Sequence, residues 1–292
     1  MARGIDHLVI AVHGFERARQ VYGRLGLTLT PVALHPFGTQ NSLVQLHGSF
    51  LELLSVVEPD AFPVPPPGGF SFPRFNHRFL ERHEGISMLA LDSADADADA
   101  RGFAEAGIQS YVPFEFGRDA RQPDGSVARV GFRLAFASDP FIPEAAFFTC
   151  QQLAPQHFWK TEYQRHANTA VEIAEVVMVS AAPSDHHAFF EAFAGTRDVR
   201  ATSMGLKVET SRGMIRIDTP DAVHATWGDA IPRADYRTPR FAGFVVGVRD
   251  LAAAQDCLDR AGVRHDKRAS RLVVAAAEAM GAAIAFQPVQ NL

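Results

Sequence analysis

Ile5-Asp6-His7-Leu8-Val9-Ile10-Ala11-Val12 is an apolar run that breaks at His13-Gly14, passes into the amphipathic stretch Phe15 to Leu25 and closes on Gly26. The run suits a buried strand, the stretch a helix, and the glycine supplies the left-handed residue on which helices commonly end. The pattern is written three more times. It returns as Ile86 to Leu91, Ala94 to Ala106 and Gly107; as Ile173 to Val179, His186 to Ala194 and Gly195; and as Phe241 to Val248, Leu251 to Ala261 and Gly262. In the last copy Leu251, Ala254 and Leu258 stand three and four apart, the spacing of one helix face.

Strand candidates follow each helix. In the first copy they are Ser42 to Leu46 and Phe50 to Val56 around His47-Gly48-Ser49. In the second, Val127 to Phe136 and Ala145 to Gln151 follow the hairpin signal Asp124-Gly125. The third offers Leu206 to Thr210 and Met214 to Asp218 around Arg212-Gly213, and the fourth Leu272 to Ala276 and Ala282 to Phe286 around Gly281. The repeat is too long and too strand-rich for a helical solenoid, so it predicts an α+β chain of four βαβββ modules. The modules pair into two half-barrel domains of mixed, mainly antiparallel sheet. Gln152 to Asn168 has Pro155, many polar residues and no period. It predicts a boundary between a domain of residues 1–155, which carries the site, and one of residues 169–292. The Pro-rich run Phe62 to Phe72 reads as a linker between the first two modules, or as a flap.

Composition bounds the function. A chain of 292 residues with 47% hydrophobic content can bury a large core, and 28 Lys+Arg against 33 Asp+Glu leave a net charge of −5. No basic stripe carries interleaved aromatics, which argues against nucleic acid and for a small-molecule ligand. No window reaches the ~20 apolar residues of a membrane span, and the N-terminus lacks a signal-peptide pattern, so a cytoplasmic location is expected. Cys150 and Cys257, the only cysteines, fall in different halves and read as two buried thiols.

Laid out in these units, Gly4-Ile5-Asp6-His7-Leu8-Val9-Ile10, the turn Gly38-Thr39-Gln40-Asn41 and Phe50-Leu51-Glu52-Leu53-Leu54 resemble the opening module of the glyoxalase-like branch of the vicinal oxygen chelate superfamily. Gly117-Arg118, Pro123-Asp124-Gly125, Arg133-Leu134-Ala135, His157-Phe158-Trp159 and His166-Ala167-Asn168 extend the likeness to about residue 170. That superfamily, which also holds bleomycin-resistance proteins and extradiol dioxygenases, hosts many chemistries on one architecture. The resemblance implies that His7 and Glu52 are metal ligands, with Glu52 also the catalytic group, and that the cofactor is a divalent metal, Zn, Fe, Mn or Ni. Glu52 stands alone as a charge in an apolar run, where it needs a partner. A His7–Glu52 hydrogen bond is the alternative role for the pair.

In the second unit the place of His7 falls at Ile86 or Ser87 and that of Glu52 at Thr149 or Cys150, none a usual ligand for a hard metal. In the third and fourth units they fall at Ala174 or Glu175 with Arg216, and at Gly243 with Ile284 or Ala285. The second half therefore reads as empty of catalysis, with Glu175 and Arg216 paired as ions across strands. Arg129 and Arg133 share one face of their strand. If it faces the barrel, Arg133, with Arg118 from the preceding loop, binds an anionic group; if it faces solvent, they are surface charges. Asn41 in its turn and His157 complete the substrate-binding candidates. With these residues, the resemblance implies a metal-dependent lyase, isomerase or dioxygenase on a small oxygenated substrate, one with an anionic group if the arginines face the barrel. The alternative is a metal-free binding protein of the bleomycin-resistance type, and exposed sheet edges are compatible with a homodimer under either reading.

Overall fold

The first copy of the repeat folds as strand β1 (Ile5–Ala11), helix α1 (Phe15–Arg24) and strands β2 (Ala33–Leu34), β3 (Thr39–Gln45) and β4 (Phe50–Val56). Helix α2 (Phe72–Leu80) leads into the second copy: β5 (Gly85–Asp92), α3 (Ala96–Glu105), β6 (Gln109–Ser110), β7 (Phe114–Arg121), β8 (Val127–Ser138) and β9 (Ala146–Gln152). After the one-turn α4 (Pro155–Phe158) comes the third: β10 (Ala170–Val179), α5 (His187–Ala194), β11 (Val199–Thr202), β12 (Gly205–Glu209) and β13 (Met214–Asp218). Helix α6 (Pro220–Trp227) precedes the fourth: β14 (Arg240–Val248), α7 (Leu251–Arg260), β15 (Asp266–Arg268), β16 (Arg271–Val274) and β17 (Ala283–Pro288). This computed structural model describes residues 2–121 and 125–289, without the side chains of residues 120 and 121; Pro123 and Asp124 of the expected hairpin signal lie outside the described residues.

The glycines that ended each predicted helix do so by turning left-handed: φ is +85° at Gly26, +75° at Gly107 and +63° at both Gly195 and Gly262. Three units are strand, helix and three strands. The second has one strand more, β7, which pairs only with β8 and lies off the main order of its sheet. Within each half the first strand of one unit pairs antiparallel with the first strand of the next, β1 with β5 and β10 with β14. Each pair of units thereby fuses into one open mixed sheet, of order β2-β3-β4-β1-β5-β9-β8-β6 in residues 5–152 and β11-β12-β13-β10-β14-β17-β16-β15 in residues 170–288.

One face of each sheet lies in a core that both share. Leu8, Ile10 and Phe147 of the first sheet and Ile173, Phe244 and Val246 of the second join Tyr22 of α1, Phe103 of α3, Phe193 of α5 and Leu258 of α7 there. The far faces carry separate clusters, one with Val9, Met88 and Phe148, the other with Val177, Val245 and Ala285.

The segment read as an aperiodic boundary is tied to the first unit. Gln45 donates Nε2–H to the Phe158 carbonyl (2.9 Å), and Lys160 N–H donates to Gln45 Oε1 (2.9 Å). His166 is anchored at both ring nitrogens, Nδ1 accepting from Thr28 N–H (3.0 Å) and Nε2–H donating to the Gln45 carbonyl (2.8 Å). Across the two halves, Asp139 Oδ2 meets His186 Nδ1 at 3.1 Å while His186 Nε2 meets Ser180 Oγ at 3.0 Å. That relay has the order of a hydrolytic triad, yet all three residues are buried, and they act as a latch between the loop after β8 and the start of α5.

Candidate active site

Alternation along β4 sends Phe50, Glu52 and Leu54 to the far face of the first sheet, and β1 runs parallel beside it with Val9 opposite Glu52. The ladder between β1 and β5 slips from Ile5↔Leu91 to His7↔Ala90, so Asp6 is an extra residue. A bulge of this kind re-aims a side chain, and here it brings two neighbours in sequence together: His7 Nδ1–H donates to Asp6 Oδ2 at 2.6 Å. Gln152 at the end of β9 donates to the other Asp6 oxygen at 3.1 Å. The imidazole stacks on Phe50 at 4.2 Å between centroids and turns Nε2 toward Glu52 Oε2, 3.8 Å away. At that spacing the pair is not hydrogen-bonded, so the direct His7–Glu52 bond considered from the sequence is not formed.

The other Glu52 oxygen is held from β3. Asn41 donates Nδ2–H to Glu52 Oε1 at 2.7 Å and lies 3.1 Å from His35 Nε2. His35 Nδ1 in turn meets Thr39 Oγ1 at 2.8 Å. Burial, helped by the charge of Arg118, pushes the His35 pKa down to about 3, so this imidazole is neutral and bonds without carrying charge. Burial also raises the Glu52 pKa; His7, the Asn41 hydrogen bond and Arg118 oppose that rise in part. On Arg118 burial acts the other way, lowering its pKa, with the Glu52 charge offsetting it.

These groups line a cavity walled mainly by phenyl rings that include Phe37, Phe72, Phe116 and Phe148. Leu43, Arg118 and Phe158 border both this chamber and an outer vestibule that takes in Val32, Leu34, His157 and Tyr163.

Of the residues singled out in the sequence, His7, Glu52, Asn41 and Arg118 meet in the chamber, while His157 lines only the vestibule. Arg118 stands on strand β7 rather than in a loop. Arg133 is not brought in. Its β8 neighbours Phe132 and Leu134 face the chamber, so Arg133 points the other way, to Glu115 (2.8 Å) and Asp97 (2.8 Å). Arg129 is likewise outside, exposed near Asp119. Two members were missed. Asp6 depends on a bulge, and His35 lies where the sequence shows no period, its role arising only when β2 folds back on β3 at Ala33↔Asn41 and Leu34↔Gln40.

Strand register fixes the counterparts of the ligand pair in the second unit. His7↔Phe50 and Val9↔Glu52 match Met88↔Ala146 and Ala90↔Phe148, which puts Met88 at the place of His7 and Phe148 at that of Glu52. This corrects the assignment to Ile86 or Ser87 and Thr149 or Cys150. Asp6, His7 and Cys150 bring ligand atoms within 4.8 Å of one another. Hydrogen bonds already occupy Asp6, and burial, before the nearby carboxylates, keeps Cys150 a thiol. Asp6 therefore supports His7 from behind, and Nε2 with Glu52 remains the pair that faces the chamber.

A family profile described as a glyoxalase-like domain matches residues 5–193, more than half of the chain. No curated protein matches the sequence. Among solved structures, a hypothetical protein from Staphylococcus aureus aligns with a TM-score of 0.67 at 13% identity, covering 98% of this chain and 100% of that one. A mutant of 4-hydroxymandelate synthase from Streptomyces coelicolor aligns at 0.57 with 11% identity, covering 100% and 94%. The 2,2',3-trihydroxybiphenyl 1,2-dioxygenase of dibenzofuran-degrading Sphingomonas wittichii strain RW1 aligns at 0.52 with 12% identity, covering 100% and 93%. At such identities the likeness to these structures is one of fold. No helix among the described residues is long and apolar enough to cross a membrane. With the profile spanning both units that build the chamber, the chain belongs to the glyoxalase-like domain family of the vicinal oxygen chelate superfamily.

Proposed function

We propose that the chain is a divalent-metal-dependent enzyme of the lyase, isomerase or dioxygenase kind, acting on a small oxygenated substrate with an anionic group, and that His7 and Glu52 hold the metal. One observation carries this reading. With Nδ1 hydrogen-bonded to Asp6, the His7 imidazole turns Nε2 toward Glu52 Oε2 across 3.8 Å of buried chamber. A ring nitrogen and a carboxylate oxygen set this far apart, too far to bond each other, leave room for a cation that both could ligate. An imidazole and a carboxylate suit Zn, Fe, Mn or Ni, and a carboxylate behind the imidazole is the usual support of a metal-bound histidine. When bound, such a metal polarises vicinal oxygens of a substrate. The protein's own part is to hold Glu52 through Asn41, to draw the anionic group to Arg118 and to keep water out with phenyl walls.

Met88 and Phe148, at the places of two further ligands, favour a second reading: a metal-free protein that sequesters an anionic ligand. Metal analysis of protein produced in metal-replete medium separates the two. Under the first, wild type carries stoichiometric metal, Glu52→Ala carries none, and Asp6→Asn binds it roughly 10–100-fold more weakly. Substoichiometric metal in wild type, after exposure to each of the four ions, selects the second.

A further inference from the structure

Two polar groups of the chamber are left without protein partners, and we propose that they select a hydroxylated aromatic carboxylate, Arg118 taking the carboxylate and Asn41 Oδ1 accepting the hydroxyl proton. This deepens the function proposed above, resting on that reading for the chamber being the substrate site but not for the metal.

The orientation of the Asn41 amide is forced. Its Nδ2 sits 2.7 Å from Glu52 Oε1 and 3.1 Å from His35 Nε2. The Glu52 oxygen is an acceptor. A flipped amide would set Oδ1 against that carboxylate at 2.7 Å, so the NH2 must face it. Oδ1 is then left with no hydrogen-bond partner, on a residue that lines the chamber and is only 5% exposed. A buried acceptor in that state is costly, and a ligand that brings a donor relieves it.

Arg118 shows the same deficit with the opposite sign. No ion-pair partner lies beside it among the described residues, and its Nε is buried without an acceptor. Elsewhere in the molecule a comparably sheltered guanidinium, Arg216, is neutralised by Asp218 at 2.8 Å and Glu175 at 3.5 Å. A planar fork of donors left open in a chamber matches a carboxylate. The rest of the wall is aromatic and already meets edge to face, as His35 does with Phe116 at 5.5 Å and Phe37 with Phe72 at 5.8 Å. A flat ring continues that packing.

Calorimetry with 3-hydroxybenzoate, 4-hydroxybenzoate, benzoate and 4-hydroxybenzyl alcohol tests this on the whole chain, once treated with EDTA and once loaded with zinc, with thermal melts confirming that each variant folds. The better hydroxybenzoate should bind at least ~10-fold tighter than benzoate. Arg118→Met should weaken it by ~100-fold, with partial recovery in Arg118→Lys. In Asn41→Ala the hydroxybenzoate-to-benzoate ratio should fall to near unity. The proposal is overturned if 4-hydroxybenzyl alcohol binds wild type as tightly as the acids do, if Arg118→Met leaves the acids unaffected, or if no acid binds. A protein that takes up no metal yet keeps these preferences loses the metal and keeps the ligand class. One that binds metal through Glu52 but shows no preference does the reverse.

Discussion

The far faces of the two sheets are built to the same register and filled with opposite chemistry. Where the first sheet sets His7 against Phe50 and Val9 against Glu52, the second sets Glu175 against Met214 and Val177 against Arg216. The His7–Glu52 pair of one half is thus replaced by an Arg216–Glu175 ion pair in the other, as expected from the sequence, with Asp218 joining Arg216 at 2.8 Å. Helix α6 lays Val223 and Trp227 into that face. Its counterpart α2 packs Phe79 and Leu80 against Ala11 at one end and sends Phe72 to the chamber wall. Gly243 and Ala285 hold the remaining ligand places of the second sheet. The second face thus pairs its central charges as ions, whereas in the first Arg118 has no ion-pair partner among the described residues.

The contrast breaks most visibly in stability. Arg216→Met strands Asp218, a buried carboxylate, and leaves Glu175 with Arg271 alone, and should destabilise by about 3 kcal/mol in denaturant unfolding. An unchanged midpoint would show that the second face is no more self-satisfied than the first.

A smaller effect of mixed sign belongs to the chamber, read as stability against pH on EDTA-treated protein. His35, depressed from 6.5 to about 3, resists protonation when folded, so stability falls as pH drops through that window, and His35→Gln should flatten this acid limb. Glu52 is raised, so its contribution runs the other way: the folded state loses stability as pH climbs above 4.5, and Glu52→Gln, which keeps an acceptor for Asn41, should gain on wild type with rising pH. Parallel curves for wild type and both variants would remove the claim that the chamber disfavours charge. The smallest effect is expected at Arg133, whose partners Asp97 and Glu115 lie outside the chamber; Arg133→Ala should leave hydroxybenzoate binding unchanged in calorimetry.

Elements written locally could be read from the chain. Glycine closures and apolar runs placed α1, α5 and α7 to within about one or two residues, the usual uncertainty of a helix end, and β4 and β13 at Phe50–Val56 and Met214–Asp218. His7 and Glu52 were legible as polar residues in strands that should be apolar. Helix α2 was hidden by the prolines before it, although Phe72, Asn76, Phe79 and Leu80 carry helical spacing and Pro73 sits where a first turn accepts it. Strand β7 left a signal as well, Phe114 and Phe116 alternating with Glu115 and Gly117. Other features had none. The face to which Arg133 turned is set by pairing with β9, Met88 and Phe148 emerge only from register, and the Asp6 bulge is a property of the β1–β5 ladder.

Strand β7, the addition that distinguishes the second unit, has β8 as its single neighbour. The guanidinium between chamber and vestibule therefore rides on a strand that a single ladder holds to the sheet, as β2 and β6 are also held among the described residues, while His7, Glu52 and Asn41 stay on strands paired on both sides. The guanidinium side and the carboxylate side of the chamber are thereby anchored by different amounts of ladder.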